Sequence, residues 1–383
     1  MEVIQNMSTD DTQNIPGFDE TDPGKLQGKP WEPVSDRVIR VGIVGHGICQ
    51  FGAHFGFQDH PNSEVVAVSD LDPERCRKMA EITRCDTRYP SLEEMLKDEQ
   101  VEVVFLATDA PSHARQAVMA LEHGKHVGCC VPACFGSLED GEALYEAVRK
   151  SGLKYMMFET SAYHADLHVM REAYQAGLLG RIVYSEGQYY HYFPEALGGH
   201  NNWRTGSPPM WYPTHATAYH IAVTGGSYTD VSCVGFRGKI GHCQADANPY
   251  GNPFDSATAL FKTNEGGASR MNICWGTPGA GGEWGEVRGE RGSVVGTEIT
   301  PKELVEDPVR FAKPQLPPGM DPGGHGGSHG YLTNEFLTAI LEDRDPLINI
   351  AWSLNMTVPG IIAHESALKD GEWMKVPQYA WPA

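Results

Sequence analysis

The sequence predicts an α/β domain with a doubly wound parallel sheet, followed by an α+β domain built on a large, mainly antiparallel sheet. Three observations predict it. Between residues 38 and 160, short β-branched runs alternate with helix-like segments. The first run stops at Gly45-His46-Gly47, a glycine-rich turn. Beyond about residue 180 the runs lengthen and follow one another through Gly-rich turns. Alternating strand and helix with continuously apolar strands means a parallel sheet covered on both faces. Consecutive strands joined by short turns mean antiparallel pairing.

The elements follow in order. Residues 38–44 (VIRVGIV), 63–70 (SEVVAVSD), 101–109 (VEVVFLATD), 125–130 (KHVGCC) and 154–160 (KYMMFET) are five candidate strands. Among the helices between them, one runs through PSHARQAVMALEHGKH and closes at Gly124. Another, SLEDGEALYEAVRKSG, opens on Ser137 as N-cap and closes on Gly152, the usual chemistry of helix ends. In the second half, 181–193 (RIVYSEGQYYHYF), TDVSCVGFRG, SATALFKTNEGGASRMNICWG and EWGEVRGERGSVVG read as strands, with TNEGG a hairpin turn. Helices follow near 331–342 and 351–369, and the last is free to pack across the junction. The expected division is an extension over 1–35, to which Trp31 offers an anchor, a nucleotide domain over 36–160, and a substrate and oligomerisation domain over 161–383.

Composition narrows the partners. A formal net charge of −20 opposes non-specific binding to nucleic acid or an anionic membrane. No run of roughly twenty apolar residues is present, so no membrane helix is expected. The first thirty or so residues lack the basic start and apolar core of a signal peptide. Nine cysteines form no regular framework and no CxxC pair. Reduced, half-buried thiols in a cytoplasmic protein are the expectation.

GIVGHGICQFG lies where a strand gives way to a helix. Gly45 allows the tight turn, and Gly47 lets backbone approach a pyrophosphate. The third glycine of GxGxxG is replaced by Gln50, with Gly52 two residues on. Asp70 ends the next strand at the distance expected for the carboxylate that binds the ribose hydroxyls and repels a 2′-phosphate. This is the signature of a Rossmann nucleotide domain, with NAD favoured over NADP. A Gly-rich turn with Asp70 capping the next helix is the plainer alternative. Candidate cofactor contacts are Gly45, Gly47, Ile48, Cys49, Gln50 and Asp70, then Thr108, Asp109, His113, Cys130 and Pro132 at later strand ends. His113 fits either the nicotinamide ribose or a packing role.

With VVAVSDLDPER, ALEHGKHV and the Pro132 turn in place, the sequence resembles the Gfo/Idh/MocA oxidoreductases over about residues 36–380. Many of them carry Glu-Lys-Pro at the turn, where Cys130-Val131-Pro132 stands here. YMMFETSAYH, GQYYHYF, WYPTHATAY and GGHGGSH more closely resemble the NAD-dependent glycoside hydrolase family 109, whose members are α-N-acetylgalactosaminidases with Val-Pro at that turn. Cys130 for a Glu and His164 for a Gly are departures from that pattern. The resemblance implies a redox glycosidase: oxidation at C3 of a sugar, removal of the acidified C2 proton, elimination at C1, water addition and return of the hydride. NAD-dependent glycosidases stand outside the two-carboxylate scheme.

That chemistry needs two proton-transfer groups. The resemblance places Tyr163 at the C2 base, with domain-seam packing as its plainer reading. His215 is the candidate acceptor for the C3 hydroxyl proton, taking the absent lysine's task; a structural loop histidine is the alternative. On strand 181–193, alternation puts Tyr189 and His191 on one face and Tyr190 and Tyr192 on the other. His191 matches a family histidine, so its face is assigned to the substrate. Trp203, Arg204, Trp211 and Tyr212 share a Pro- and Gly-rich loop suited either to a sugar or to its own aromatic cluster. His325 and His329, spaced by four, could form a zinc site with His215; a glycine-rich substrate loop with His325 is preferred, and no metal is expected. A plain NAD-dependent sugar or polyol dehydrogenase is the alternative function, with a non-enzymatic regulator of the same fold behind it. A homodimer or larger homo-oligomer through the outer sheet face is expected, because Tyr184, Tyr190 and Tyr192 would stand on it.

Overall fold

The computed structural model describes residues 28–47, 49–279, 281–302 and 311–382. Ile48 and most of the N-terminal extension lie outside the described residues. The first sheet is parallel throughout and has the order β3-β2-β1-β4-β5-β6. Its strands are β1 (Ile39–Val44), β2 (Ser63–Ser69), β3 (Arg88–Tyr89), β4 (Val103–Leu106), β5 (His126–Cys129) and β6 (Tyr155–Met157). The two-residue β3 carries no apolar run and was not expected. Helices α1 (Phe51–His54), α2 (Pro73–Thr83), α3 (Leu92–Met95), α4 (His113–Glu122) and α5 (Leu138–Ser151) are interleaved with them. The Ser137 hydroxyl accepts from Asp140 N at 3.0 Å, and Gly152 closes α5 in the left-handed conformation.

The second sheet has eight strands in the order β13-β12-β11-β7-β10-β9-β8-β14. They are β7 (Ile182–Tyr190), β8 (Tyr228–Phe236), β9 (Ser256–Thr263), β10 (Ala268–Cys274), β11 (Gly282–Gly289), β12 (Ser293–Val295), β13 (Glu298–Thr300) and β14 (Met374–Lys375). The pair β7–β10 is parallel and all the others are antiparallel. β9 and β10 form the hairpin across TNEGG. Helices α6 (Ala165–Gln175), α7 (Thr214–Thr224), α8 (Gly324–Gly327), α9 (His329–Leu341) and α10 (Ile350–Leu368) complete the chain.

Helix α7 lies directly on the inner face of this sheet. A Cβ on Gly187 would come within 2.0 Å of the Ala216 carbonyl oxygen, so only glycine admits the helix there. Residues 214–223 are buried on every side of α7, which is why its sequence shows no amphipathic period. Helix α10 holds the two sheets together. Ile348, just before it, accepts from Met157 N at 3.2 Å, Thr357 Oγ1 accepts from Ala133 N at 3.3 Å, and Ser366 Oγ accepts from Cys233 N at 3.0 Å. Residues 28–29 pair with 313–315 through Gly28 N to Lys313 O and Gln315 N to Lys29 O. All nine cysteines are free. Among the described residues no helix is long and apolar enough to cross a membrane.

Candidate active site

Two adjoining concavities lie between the carboxyl ends of the first sheet and the inner face of the second. The larger is a groove lined by Gly45, Gly47, Cys49, Asp70, Thr108 and Asp109. Gly45 has φ +89°, and a Cβ there would meet the Ala107 carbonyl at 2.6 Å. The third-glycine role falls to Gly52, whose Cβ would lie 2.4 Å from the Gly45 carbonyl. Gln50 instead sits at φ 55° before α1 and does not line the groove. Helix α1 is only four residues long, shorter than the pyrophosphate-facing helix the motif implied. Asp70 is engaged with the loop itself: its Oδ2 accepts from His46 N at 2.7 Å and Gly47 N at 3.4 Å, and its Oδ1 accepts from Asp72 N at 2.8 Å. Oδ1, with one bond made, keeps lone-pair capacity for a ribose hydroxyl.

The second concavity is lined by Thr108, His113, Cys130, Val131, Tyr189, His191, Trp203, Arg204, Tyr212, His215 and His325, among others. It meets the groove at Cys49, Phe51, Thr108, Trp203 and Arg204. The Arg204 guanidinium stacks on Trp203 at 4.1 Å and lies over Tyr212 at 5.8 Å. Trp203 and Arg204 therefore face both concavities, not the substrate side alone. His113 is fully buried, with Nδ1 2.9 Å from the Pro132 carbonyl and Nε2 3.2 Å from that of Thr108. It ties the turn after β5 to the end of β4, while Pro132 stands behind the lining. Burial holds the Cys130 thiol far above its ordinary pKa, so this turn presents a neutral group.

His215 stands not in a loop but one residue inside α7, buried. Its Nδ1 is 2.7 Å from Glu159 Oε1 and 3.5 Å from Glu283 Oε1. Burial by itself would lower its pKa. The charges of Glu159 and Glu283 outweigh burial and raise it to about 9. Glu159 is wholly buried; burial pushes its carboxyl up, but the His215 charge and the bonds from His215 and Ser161 N hold it below the usual range. The ring of Tyr189 meets His215 edge to face at 4.7 Å and stacks beside His191 at 6.3 Å. Burial lowers His191 to about 3, so it is neutral.

Two expected residues are not brought here. Tyr163 does not line the concavity: its ring stacks on Tyr331 at 6.3 Å with the Arg171 guanidinium 5.5 Å away, and burial drives its pKa well up. In this structure it packs against Tyr331 and Arg171 instead. Trp211 also packs outside the lining, edge to face with Phe135, Tyr250 and His364. His325 does line the pocket, in a kinked turn at φ 49°, with Nδ1 3.0 Å from His329 Nε2. Among the described residues the group able to hold a metal ion is Glu159, His215 and Glu283, not the glycine-loop histidines.

Sequence reasoning singled out neither Glu159 nor Glu283, and it placed Tyr189 on the active-site face without giving it a role. Glu159 had a signal: it ends an otherwise apolar strand run at the edge where parallel sheets place chemistry. Glu283 had a fainter one, since alternation along β11 puts it on the face of the buried Val287.

Two family models match the chain: the oxidoreductase family with NAD-binding Rossmann fold over residues 39–159, and the GFO/IDH/MocA C-terminal domain over 167–295. Together they span more than half of it, and the chain belongs to the Gfo/Idh/MocA family. The first domain is thus an NAD-binding domain. Within the family, the chain is 33% identical over 178 residues to glycosyl hydrolase family 109 protein 1 of Bacteroides fragilis, covering 44% of this chain and 38% of that one. It is 34% identical over 202 residues to an alpha-N-acetylgalactosaminidase of the same species, covering 47% and 46%. The match thus spans less than half the length of these relatives. Levoglucosan dehydrogenase in complex with NADH and levoglucosan shares the fold, with TM-score 0.73 and 19% identity over 89% of this chain and 100% of that one. So does the WlbA dehydrogenase of Bordetella pertussis with NADH and UDP-GlcNAcA, at TM-score 0.69 and 20% identity over 91% and 100%.

Proposed function

We propose that the chain is an NAD-dependent sugar-processing enzyme that cleaves glycosides by transient oxidation at C3, deprotonation at C2 and elimination at C1. The observation behind this reading is the convergence of His215, held by Glu159, with Tyr189, His191 and Tyr212 in a pocket continuous with the dinucleotide groove. The groove fits a dinucleotide: its glycine turn leaves no room for a Cβ at Gly45, and Asp70, Thr108, Asp109 and the Arg204 cation lie along it. When bound there, NAD would supply the hydride acceptor and donor and the positive charge of its nicotinamide. The rest falls to side chains. With Nδ1 anchored on Glu159, His215 presents Nε2 to the pocket and takes the C3 hydroxyl proton; the neutral turn at Cys130 offers no competing base. Only its unprotonated form accepts, so oxidation should quicken as pH rises toward about 9. The ketone at C3 acidifies the C2 proton. Tyr189 replaces Tyr163 as the group that removes it, because Tyr189 is the tyrosine beside both His191 and His215. Neutral His191 and the faces of Trp203 and Tyr212 position the sugar.

One observation favours net oxidation instead, as in a sugar or polyol dehydrogenase. Burial holds the Tyr189 hydroxyl well above its ordinary range, the Arg204 charge opposing only in part, whereas a histidine–carboxylate pair alone suffices to oxidise an alcohol. The similarity to family 109 relatives supports the glycosidase. The experiment is a panel of aryl glycosides and free sugars, following aglycone release and NADH together. Aglycone release without net NADH supports the first reading; stoichiometric NADH without aglycone supports the second. Neither signal across the panel rejects both. We further propose a homodimer or larger assembly through the outer sheet face, where Val234, Phe236, Leu260, Trp284 and Val295 are exposed.

A further inference from the structure

The second concavity carries a cation with no counter-charge. Among the described residues that line it, none is Asp, Glu, Asn or Gln, and Arg204 is the only Arg or Lys. A neutral sugar presents mostly hydroxyl groups, which planar carboxylates and amides accept in pairs; this lining holds no such group. Arg204 is half-buried, with its guanidinium on the Trp203 ring at 4.1 Å. That stacking fixes the plane of the fork and leaves its N–H edge free. The guanidinium makes no hydrogen bond or ion pair among the described residues. Asp109, on the groove side, is bonded by Ser112 Oγ at 2.7 Å instead. Cys130 stands where the family 109 pattern has Glu, and burial keeps its thiol protonated, so that turn supplies no counter-charge. The cation nevertheless belongs to the pocket. Burial is the largest influence on Tyr189, His191 and Tyr212, and the Arg204 charge acts on all three, drawing each downward. Filling the cleft strips the water that Arg204 still has, and a charge so stripped is costly unless the occupant pairs it.

We propose that the pocket is built for a sugar acid, a hexuronate unit whose carboxylate on C5 is held by the Arg204 fork. One guanidinium matches a planar monoanion through two parallel N–H···O bonds. A phosphate or sulfate group would call on further cations, and no other Arg or Lys lines the pocket among the described residues. The net charge of −20 opposes an acidic ligand only at a distance, where salt screens it over about 8 Å. At hydrogen-bond range the local cation decides. This names the substrate class of the reading above and rests on that reading for the reaction, but recognition of the carboxylate is measurable as binding alone.

The test is calorimetry on the full-length protein saturated with NADH, which leaves the sugar unoxidised. The probes are D-glucuronate and D-galacturonate beside their neutral parents, D-glucose and D-galactose. At least one uronate should bind about tenfold or more tighter than its parent, the scale of a charge-assisted hydrogen bond. Arg204→Gln should remove that preference. Arg204→Lys, which keeps the charge but not the fork, should retain only part of it, and it serves as the second variant should the glutamine protein fail to fold. Neutral parents that bind as well as the uronates, or no binding of any probe, overturn the proposal. So does tighter binding of glucose 6-phosphate or galactose 6-sulfate than of either uronate. A uronate preference that survives in folded Arg204→Gln, with NADH binding weakened instead, assigns the cation to the dinucleotide and overturns it too. Aryl glycosides and aryl glucuronides that give neither aglycone nor NADH, while the Arg204-dependent uronate binding holds, would reject the functional reading and leave the sugar-acid site standing. Turnover of neutral aryl glycosides without any uronate preference would do the reverse.

Discussion

Replacing Glu159 by glutamine keeps the shape of the side chain and one hydrogen-bond acceptor, but removes the charge 2.7 Å from His215 Nδ1. His215 stands at about 9 against an ordinary 6.5, which at 1.36 kcal/mol per pKa unit is about 3 kcal/mol in favour of the charged ring. Burial is the largest influence on it and acts downward. With Glu283 alone left to oppose burial, His215 in Glu159→Gln should titrate near or below its ordinary value. A raised folded-state pKa stabilises fully below the unfolded value and loses that contribution as pH rises through the folded one. Glu159, held low, stabilises above its unfolded value and loses this in acid. The parent should therefore exceed the variant by about 3 kcal/mol near pH 6, in line with the cost of removing one partner of a buried pair, and the gap should shrink steadily toward pH 10. Urea unfolding across that range gives the gap, and 15N-histidine NMR gives the titration. A variant His215 still titrating near 9, or a gap that does not change with pH, would refute the assignment of the shift to Glu159.

Tyr189→Phe should lower exchange of the C2 hydrogen with solvent by about 10²–10⁴-fold, while Tyr163→Phe leaves it unchanged; deuterium incorporation in a turned-over glycoside reads both, and loss in Tyr163→Phe alone would restore the sequence assignment. Asp70→Asn should weaken NAD binding and narrow the preference over NADP, because the carboxylate both holds the glycine loop and faces the groove; unchanged affinities by calorimetry would remove it from the site. Gly187→Ala should cost several kcal/mol or prevent folding, since backbone and not a flexible side chain stands 2.0 Å from the added carbon; a loss under about 1 kcal/mol in urea would show that α7 can lift off its strand. Light scattering at micromolar concentration should find at least a dimer, and a monomer would reject the outer-face interface.

What the sequence determined is what local chemistry and periodicity encode. Period-2 alternation placed Tyr189 and His191 on the inner face of β7, the glycine turn and Asp70 marked the nucleotide groove, and Ser137 and Gly152 bounded α5. These depend on neighbours in the chain, so the chain alone displays them. Other features depend on how distant segments meet. Helix α7 is buried all round and shows no amphipathic stripe, so the sequence assigns it no element. Tyr163 sits on a short helical turn whose rotation no pattern encodes, and it points to Tyr331 rather than to the cleft. The partnership that sets His215's protonation joins residues 159, 161, 215 and 283 from three separate segments, the turn after β6, α7 and β11. Buried charges are screened less than exposed ones and act strongly once close, and only the docking of α7 against the turn after β6 and against β7 and β11 brings these together.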